Sequence, residues 1–222
     1  MSGHVGRFWL ALLLAGLLLG GLTACQMTPT APRPGGDKLL YEDAFVPGEA
    51  GRWLIEADNL AWSAIVNEQM VIAVDAPNLV QYATLDGQTF SDFVLEVDVT
   101  LVDGNPESSY GVLFRMAGPQ QFYRFEVTGN GLYAVERYDG GDSWTRLTAG
   151  WVESAAISQG LGGRNHLRLE ANGATLAFAV NGEPLASFSD TAYASGGVAL
   201  DAGTFARPGV QVAFDNLVIY RP

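Results

Sequence analysis

From Leu39 onward, short runs of alternating apolar and polar residues recur every eight to twelve residues, separated by Gly, Pro, Asn and Asp. That rhythm predicts an all-β domain of many short antiparallel strands, a sandwich or a barrel. The clearest run is Phe93 to Leu101, in which Phe93, Leu95, Val97, Val99 and Leu101 share one face and Glu96, Asp98 and Thr100 the other. Side chains alternate across a strand, so one half of this run is core and the other half is wet. Ala61–Val66 and Met70–Val74 read as a hairpin around Asn67-Glu68-Gln69, and Leu79–Thr84 as a further strand.

Ser109 to Trp144 reads as a three-stranded meander with an apolar face and a face carrying Arg115, Arg124, Glu126, Glu136 and aromatic rings. A two-residue turn at Asn130-Gly131 would set Arg124 against Arg137 and mix the faces. A three-residue loop, Gly129-Asn130-Gly131 with Gly131 in the left-handed position, instead pairs Phe125 with Val135, Val127 with Tyr133 and Arg124 with Glu136. The second register is favoured, because a slip by one residue would turn the whole apolar set outward. Gly150–Gly163 reads as an irregular connection with one helical turn near Glu153–Ile157. A two-residue turn at Asn172-Gly173 would place Leu169 opposite Leu176, and a second Asn-Gly at 181–182 leads into Glu183–Phe188. Gly197–Asp201 and Val210–Tyr220 close the domain.

The start of the chain has a different texture. Arg7 precedes the apolar run Phe8–Leu22, which is followed by Thr23-Ala24-Cys25. The run is short for a permanent span and has the flanks of a secretory signal over residues 1–24. Leu22-Thr23-Ala24-Cys25 resembles the bacterial lipobox, which implies cleavage before Cys25 and lipid attachment to it. Cys25 is the single cysteine, so its expected chemistry is attachment and not an intrachain disulfide. Residues 25–38, rich in Pro and Gly, then read as a flexible tether, and 39–222 as the folded domain. The expected location is the extracytoplasmic face of a membrane. The formal net charge of −12 repels nucleic acid and anionic headgroups, which excludes nucleic-acid binding and favours neutral or cationic ligands.

The segments YGVLFR, FYRFEV, GLYAVERYDG with Trp144, Trp151 with AIS, NHLRLEANGATLAFAVNG, GGVALDAG and VAFDNLVIY resemble the concanavalin A-like, laminin-G-like jelly rolls of bacterial exported proteins. Among these the nearest named relatives are the 3-keto-disaccharide-hydrolase-type domains. The resemblance implies an antiparallel two-sheet β-sandwich with polar and aromatic side chains on a concave face, carbohydrate as the commonest ligand, and Ca²⁺ in some branches.

Candidate chemistry follows from both sources. Retaining glucanases of this fold carry a Glu-x-Asp-x-(x)-Glu strand, and Glu96-Val97-Asp98 matches its first two carboxylates. Thr100 or Leu101 stands where the acid/base is needed, so that chemistry is incomplete on this strand. A broader hydrolase reading recruits Glu126, Glu136, Asp103 or Glu107; the alternative for Arg124 and Glu136 is an exposed cross-strand ion pair. His166 falls by alternation with Arg168 and Glu170 on an outward face, away from any triad or multi-histidine zinc site. Asp139, Asp142 and Asp215, with Asp103, are candidate Ca²⁺ ligands and equally ordinary turn residues. The expected ligand-binding set is Arg115, Phe122, Arg124, Glu126, Glu136 and Tyr138, where rings can stack on sugars while polar groups bond hydroxyls. Trp53, Trp62, Trp144 and Trp151 are expected as packing residues or as lids of the sandwich. These features point to a lipid-anchored surface module that binds carbohydrate or another surface polymer without cleaving it. The alternatives are a glycoside hydrolase of the 3-keto-disaccharide-hydrolase type and a structural or protein-interaction domain of the envelope.

Overall fold

The computed structural model describes residues 38–222, and the leader, Cys25 and the tether up to residue 37 lie outside the described residues. The described chain forms strands and no helix. In chain order they are β1 (Leu39–Asp43), β2 (Trp53–Leu54), β3 (Ala61–Val66), β4 (Gln69–Val74), β5 (Val80–Leu85), β6 (Phe93–Gly104), β7 (Ser109–Gly118) and β8 (Gln121–Thr128). There follow β9 (Leu132–Tyr138), β10 (Trp144–Arg146), β11 (Val152–Glu153), β12 (Arg164–Asn172), β13 (Thr175–Val180), β14 (Glu183–Ser189), β15 (Gly197–Gly203) and β16 (Val210–Tyr220). They make two antiparallel sheets of eight strands each. The first runs β14-β13-β12-β6-β16-β4-β3 with β1 also on β16, and the second β10-β9-β8-β7-β15-β5-β2 with β11 also on β9. This is the expected two-sheet β-sandwich.

The core lies between the sheets. Phe93, Leu95, Val97, Val99 and Leu101 of β6 face Tyr110, Val112 and Phe114 of β7, Tyr123, Phe125 and Val127 of β8, and Val198 and Leu200 of β15, all fully buried in one apolar cluster. The strict alternation in β6 therefore defines the inner face of the first sheet, and the hydrophobic effect fixes its register.

The meander adopts the three-residue loop: Gly131 has φ +90°, its N–H donates to Thr128 O, and Phe125 pairs with Val135, Val127 with Tyr133 and Phe122 with Tyr138. Three other turn expectations are corrected. The β3–β4 loop has two residues, Asn67 and Glu68, both at positive φ, and Gln69 pairs with Val66. The β12–β13 loop is Gly173-Ala174, so Leu169 faces Phe178 and Leu176 faces Ala171, two positions from the expected register but on the same faces. The cause is tertiary: Gly173 is held at the first loop position by its N–H to Asp92 Oδ1 and by Arg115 Nη1 on its carbonyl. The expected helical turn near Glu153–Ile157 is instead the short strand β11 and a turn.

The end strands of the two sheet paths share one trait, interruption. The edge beside β9 is split between β10 and β11, which pair with its two ends. β14 carries Pro184 beside a register shift, and β2 is two residues long. Outside β3 the chain bends back, with Ser63 N–H bonding Glu56 O and Asp58 N–H bonding Ala61 O.

Candidate functional site

The outer face of the second sheet is built in rows set by the strand registers. Phe122 of β8, Tyr138 of β9 and Trp144 of β10 stand side by side in the first row. Thr84, Ala199, Leu113, Arg124, Glu136 and Arg146 make the second, and Tyr82, Asp201, Gly111, Glu126 and Ala134 the third. The rings touch: Phe122 and Tyr138 at 5.3 Å, Phe122 and Trp144 at 6.1 Å edge-on, Tyr138 and Trp144 stacked at 4.6 Å. Leu113, Ala199, Met116 and Tyr82 pack around their base. Trp144 is 45 % exposed, so the outermost ring of the row is open to solvent.

The middle of the face is charged and closed. Arg124 Nη1 lies 2.9 Å from Glu126 Oε2, and Arg124 Nη2 lies 2.6 Å from Asp201 Oδ2, with Nε also donating to Asp201 at 2.8 Å. All three residues are buried; Glu126 is 2 % exposed and Asp201 is fully enclosed. Small residues make room for them. A Cβ on Gly203 would come within 3.1 Å of Arg124 Nη2, and one on Gly111 within 2.0 Å of Phe125 O on the neighbouring strand. Burial pushes the Glu126 carboxyl up to about 7, with the Asp201 charge adding to the rise and Arg124 opposing it. Burial likewise raises Asp201 against the pull of Arg124. Burial works against the Arg124 charge, but Asp201 and Glu126 together hold it firmly protonated. Asp201 Oδ1 and Glu126 Oε2 accept no hydrogen bond of good geometry, so the Glu126 contact is ionic without being a hydrogen bond.

Thus the expected Arg124–Glu136 ladder has the right register but a different ion pairing. Arg124 turns to Glu126 and to Asp201, a residue the sequence reading did not select, and the pair is buried where an exposed one was expected. Glu136 pairs with Arg146 at the rim, 3.4 Å away. Asp201 was detectable as the lone charge in the otherwise apolar run GVALDAG, on the parity opposite Val198 and Leu200.

Arg115 leaves this face. It is the extra residue of a β-bulge: Val198 pairs with Phe114 and Gly197 with Met116, and Arg115 sits between them at φ +47°. Met116 takes the place on the face that parity assigned to Arg115. The Arg115 side chain, 1 % exposed, runs to the end of the sandwich and donates to the carbonyls of Ser91, Gly173 and Tyr193 and to Asp92. It forms part of the wall of a shallow cavity of about 330 Å³ that includes Ser91, Thr191 and Ser195.

Glu96 and Asp98 stand on the outer face of the other sheet. Asp98 bonds Arg164 Nη2 at 2.6 Å, His166 Nδ1 at 3.0 Å and Asn216 Nδ2 at 3.1 Å; Glu96 accepts from Tyr220 at 2.7 Å and pairs with Arg168 at 3.4 Å. His166 points outward with Arg168 and Glu170, as alternation requires. Its hydrogen bonds to Asp98 and Glu96 push its pKa up to about 9. The His166 bond pulls Glu96 down, and at Asp98 burial is outweighed by the bonds from His166 and Arg164. Glu96, Asp98, Glu126 and Glu136 are therefore divided between two outer faces, each beside an arginine. A retaining glycosidase needs two carboxyls about 5 Å apart across an accessible bond. Here Glu96 and Asp98 share one face and both contact His166, with Arg168 and Arg164 beside them, while Glu126 and Glu136 stand on the other face beside Arg124 and Arg146.

The calcium candidates are also spread out. Asp139 bonds Arg137, Tyr193 and Thr145, Asp142 lies in the same β9–β10 turn, Asp215 bonds the backbone N–H of Asn216, and Asp103 that of Gly104. Among the described residues no three His, Cys, Asp or Glu side chains converge as metal ligands. Of the tryptophans, Trp53 is buried and donates to Asp43. Trp144 and Trp151 are exposed, each with its ring against another, Trp144 on Tyr138 and Trp151 on Phe205.

No protein-family model matches the chain, and no curated protein sequence matches it. Solved structures do. The carbohydrate-binding module CBM66 from Bacillus subtilis superimposes with a TM-score of 0.62 at 16 % identity, over 77 % of this chain and 96 % of that one. The laminarinase catalytic domain from Thermotoga maritima gives 0.57 at 12 % identity, over 83 % and 98 % of the two chains. An endo-β-1,3-glucanase from Pyrococcus furiosus gives 0.57 at 13 % identity, over 82 % and 94 %. At these identities the likeness is one of fold: the chain is a jelly-roll β-sandwich, an architecture that also carries carbohydrate-binding modules and β-1,3-glucanases.

Proposed function

We propose that the protein is an exported, lipid-anchored glycan-binding module whose binding face is the outer face of the second sheet. The ring row Phe122–Tyr138–Trp144 carries this reading. A row of touching aromatics ending in an exposed Trp beside fixed polar groups is suited to stacking on the apolar face of a sugar ring. The fold shared with a carbohydrate-binding module and two glucan hydrolases agrees with it. Binding without cleavage is favoured because the charged centre is closed, with Arg124 neutralised by carboxylates that solvent does not reach.

Affinity electrophoresis through gels cast with a broad set of polysaccharides tests the reading. At least one gel is expected to retard the wild type, and Tyr138→Ala with Trp144→Ala should run at its unretarded mobility while melting at a similar temperature. Equal mobility of the wild type on every gel would overturn the proposal. Anchoring through Cys25 is tested by detergent phase separation of cell extracts. The wild type is expected in the detergent phase and Cys25→Ser in the aqueous one; an unchanged partition of the variant would exclude lipidation at this residue.

A further inference from the structure

A second pair of exposed rings stands on the same face. Val152 pairs with Tyr133 and packs on the core, so its neighbour Trp151 turns outward beside Ala134. Phe205 follows the end of β15, where Gly203 pairs with Ser109 of β7. β9, β8 and β7 lie between β11 and β15, yet the rings of Trp151 and Phe205 meet edge to face, 5.8 Å apart at 85°. They are 38 % and 43 % exposed. From Tyr138 to Ala134 is four residues of β9, about 14 Å at ~3.4 Å per residue. The face therefore carries two aromatic platforms, with the row of Arg124, Glu136 and Arg146 between them and Glu126 and Asp201 in the row of Ala134.

Resting on the reading of this face as a glycan site, we infer that it binds the interior of a neutral polysaccharide lengthwise, with Tyr138–Trp144 and Trp151–Phe205 under different sugar units of one chain. A single sugar ring cannot cover both platforms. Charge selects the class of polymer. The cations between the platforms are matched, Arg124 by Glu126 and Asp201 and Arg146 by Glu136, and the whole chain carries −12. An anionic polymer meets repulsion and no unmatched cation, whereas a neutral one meets rings and hydrogen-bonding groups.

Calorimetric titration of the full chain with linear neutral glucans, from disaccharide to octasaccharide, and with an oligouronate of the longest length tests the inference. Affinity is expected to rise with length until both platforms are covered. Trp151→Ala, and independently Phe205→Ala, should lower affinity for the longest glucan by roughly tenfold, the equivalent of about 1.4 kcal/mol, and leave the shortest binding ligand unchanged. Trp151→Phe should restore most of the loss, which separates stacking from a folding defect. Equal loss for short and long glucans, no loss for either, or oligouronate binding as tight as the matched glucan would overturn this inference while leaving the Trp144 site standing. Absence of binding by any glycan would overturn both.

Discussion

Glu126 is the residue whose environment departs furthest from its sequence-level appearance. In a count of alternating positions it is one more polar side chain on a wet face, yet it is enclosed between Arg124 of its own strand and Asp201 of β15, with Ser109 of β7 and Glu136 of β9 nearby. Two carboxylates and one guanidinium in a buried site carry an uncompensated negative charge when both are ionised, and protonating Glu126 removes it. A carboxyl whose folded pKa is raised contributes stability that is present below its unfolded value near 4.5 and is lost as pH rises through about 7. His166 adds to the same trend, because a histidine raised from 6.5 to about 9 contributes stability lost between those values. The wild type should therefore melt at a falling temperature from about pH 5 to 9. Glu126→Gln, neutral and of equal size, should melt higher than the wild type at pH 8 and show a shallower slope, because the Glu126 part of it is gone. Thermal melts across this range check the point; parallel curves for the two proteins would refute the assignment.

At the scale of elements, β6 and the β8–β9 hairpin were legible because local and tertiary demands agree there. Alternation in Phe93–Leu101 matches the core, and Gly131 supplies the positive φ that the favoured register needs. Sequence reading failed where a contact from elsewhere in the fold overrode a local count. The bulge at Arg115 exchanged it for Met116 on the face, and the contacts of Asp92 and Arg115 with Gly173 moved the β12–β13 turn by one residue at each strand end. Neither carries a signal in its own segment. The close approach of β7 and β8 is testable at this scale. Gly111 lies where a Cβ would overlap the Phe125 carbonyl, so Gly111→Ala must push the two strands apart. A loss of about 1–3 kcal/mol, the range for overpacking, is expected in denaturant unfolding. Ala at Gly141, where a Cβ meets nothing within 4 Å, should cost no more than the strain of its φ of +59°.

For the whole molecule, alternation along the chain predicted an all-β sandwich or barrel, composition added its acidity, and the jelly-roll form was what the family resemblance implied. The candidate site was half legible. Phe122 and Tyr138 were found through parity, while Trp144, Trp151 and Phe205 were not placed on a binding face, because exposure of a large ring depends on which loop covers it. The interrupted edges have a consequence for life at high density. A continuous edge strand offers unpaired N–H and C=O groups to a second copy, and sheets can then grow from molecule to molecule. Here one edge is split between β10 and β11, one carries Pro184, one is two residues long, and one is covered by residues 56–58. Among the described residues, the end strands of both sheet paths thus give copies crowded side by side no long, straight edge through which to polymerise, and leave the ring-bearing face free.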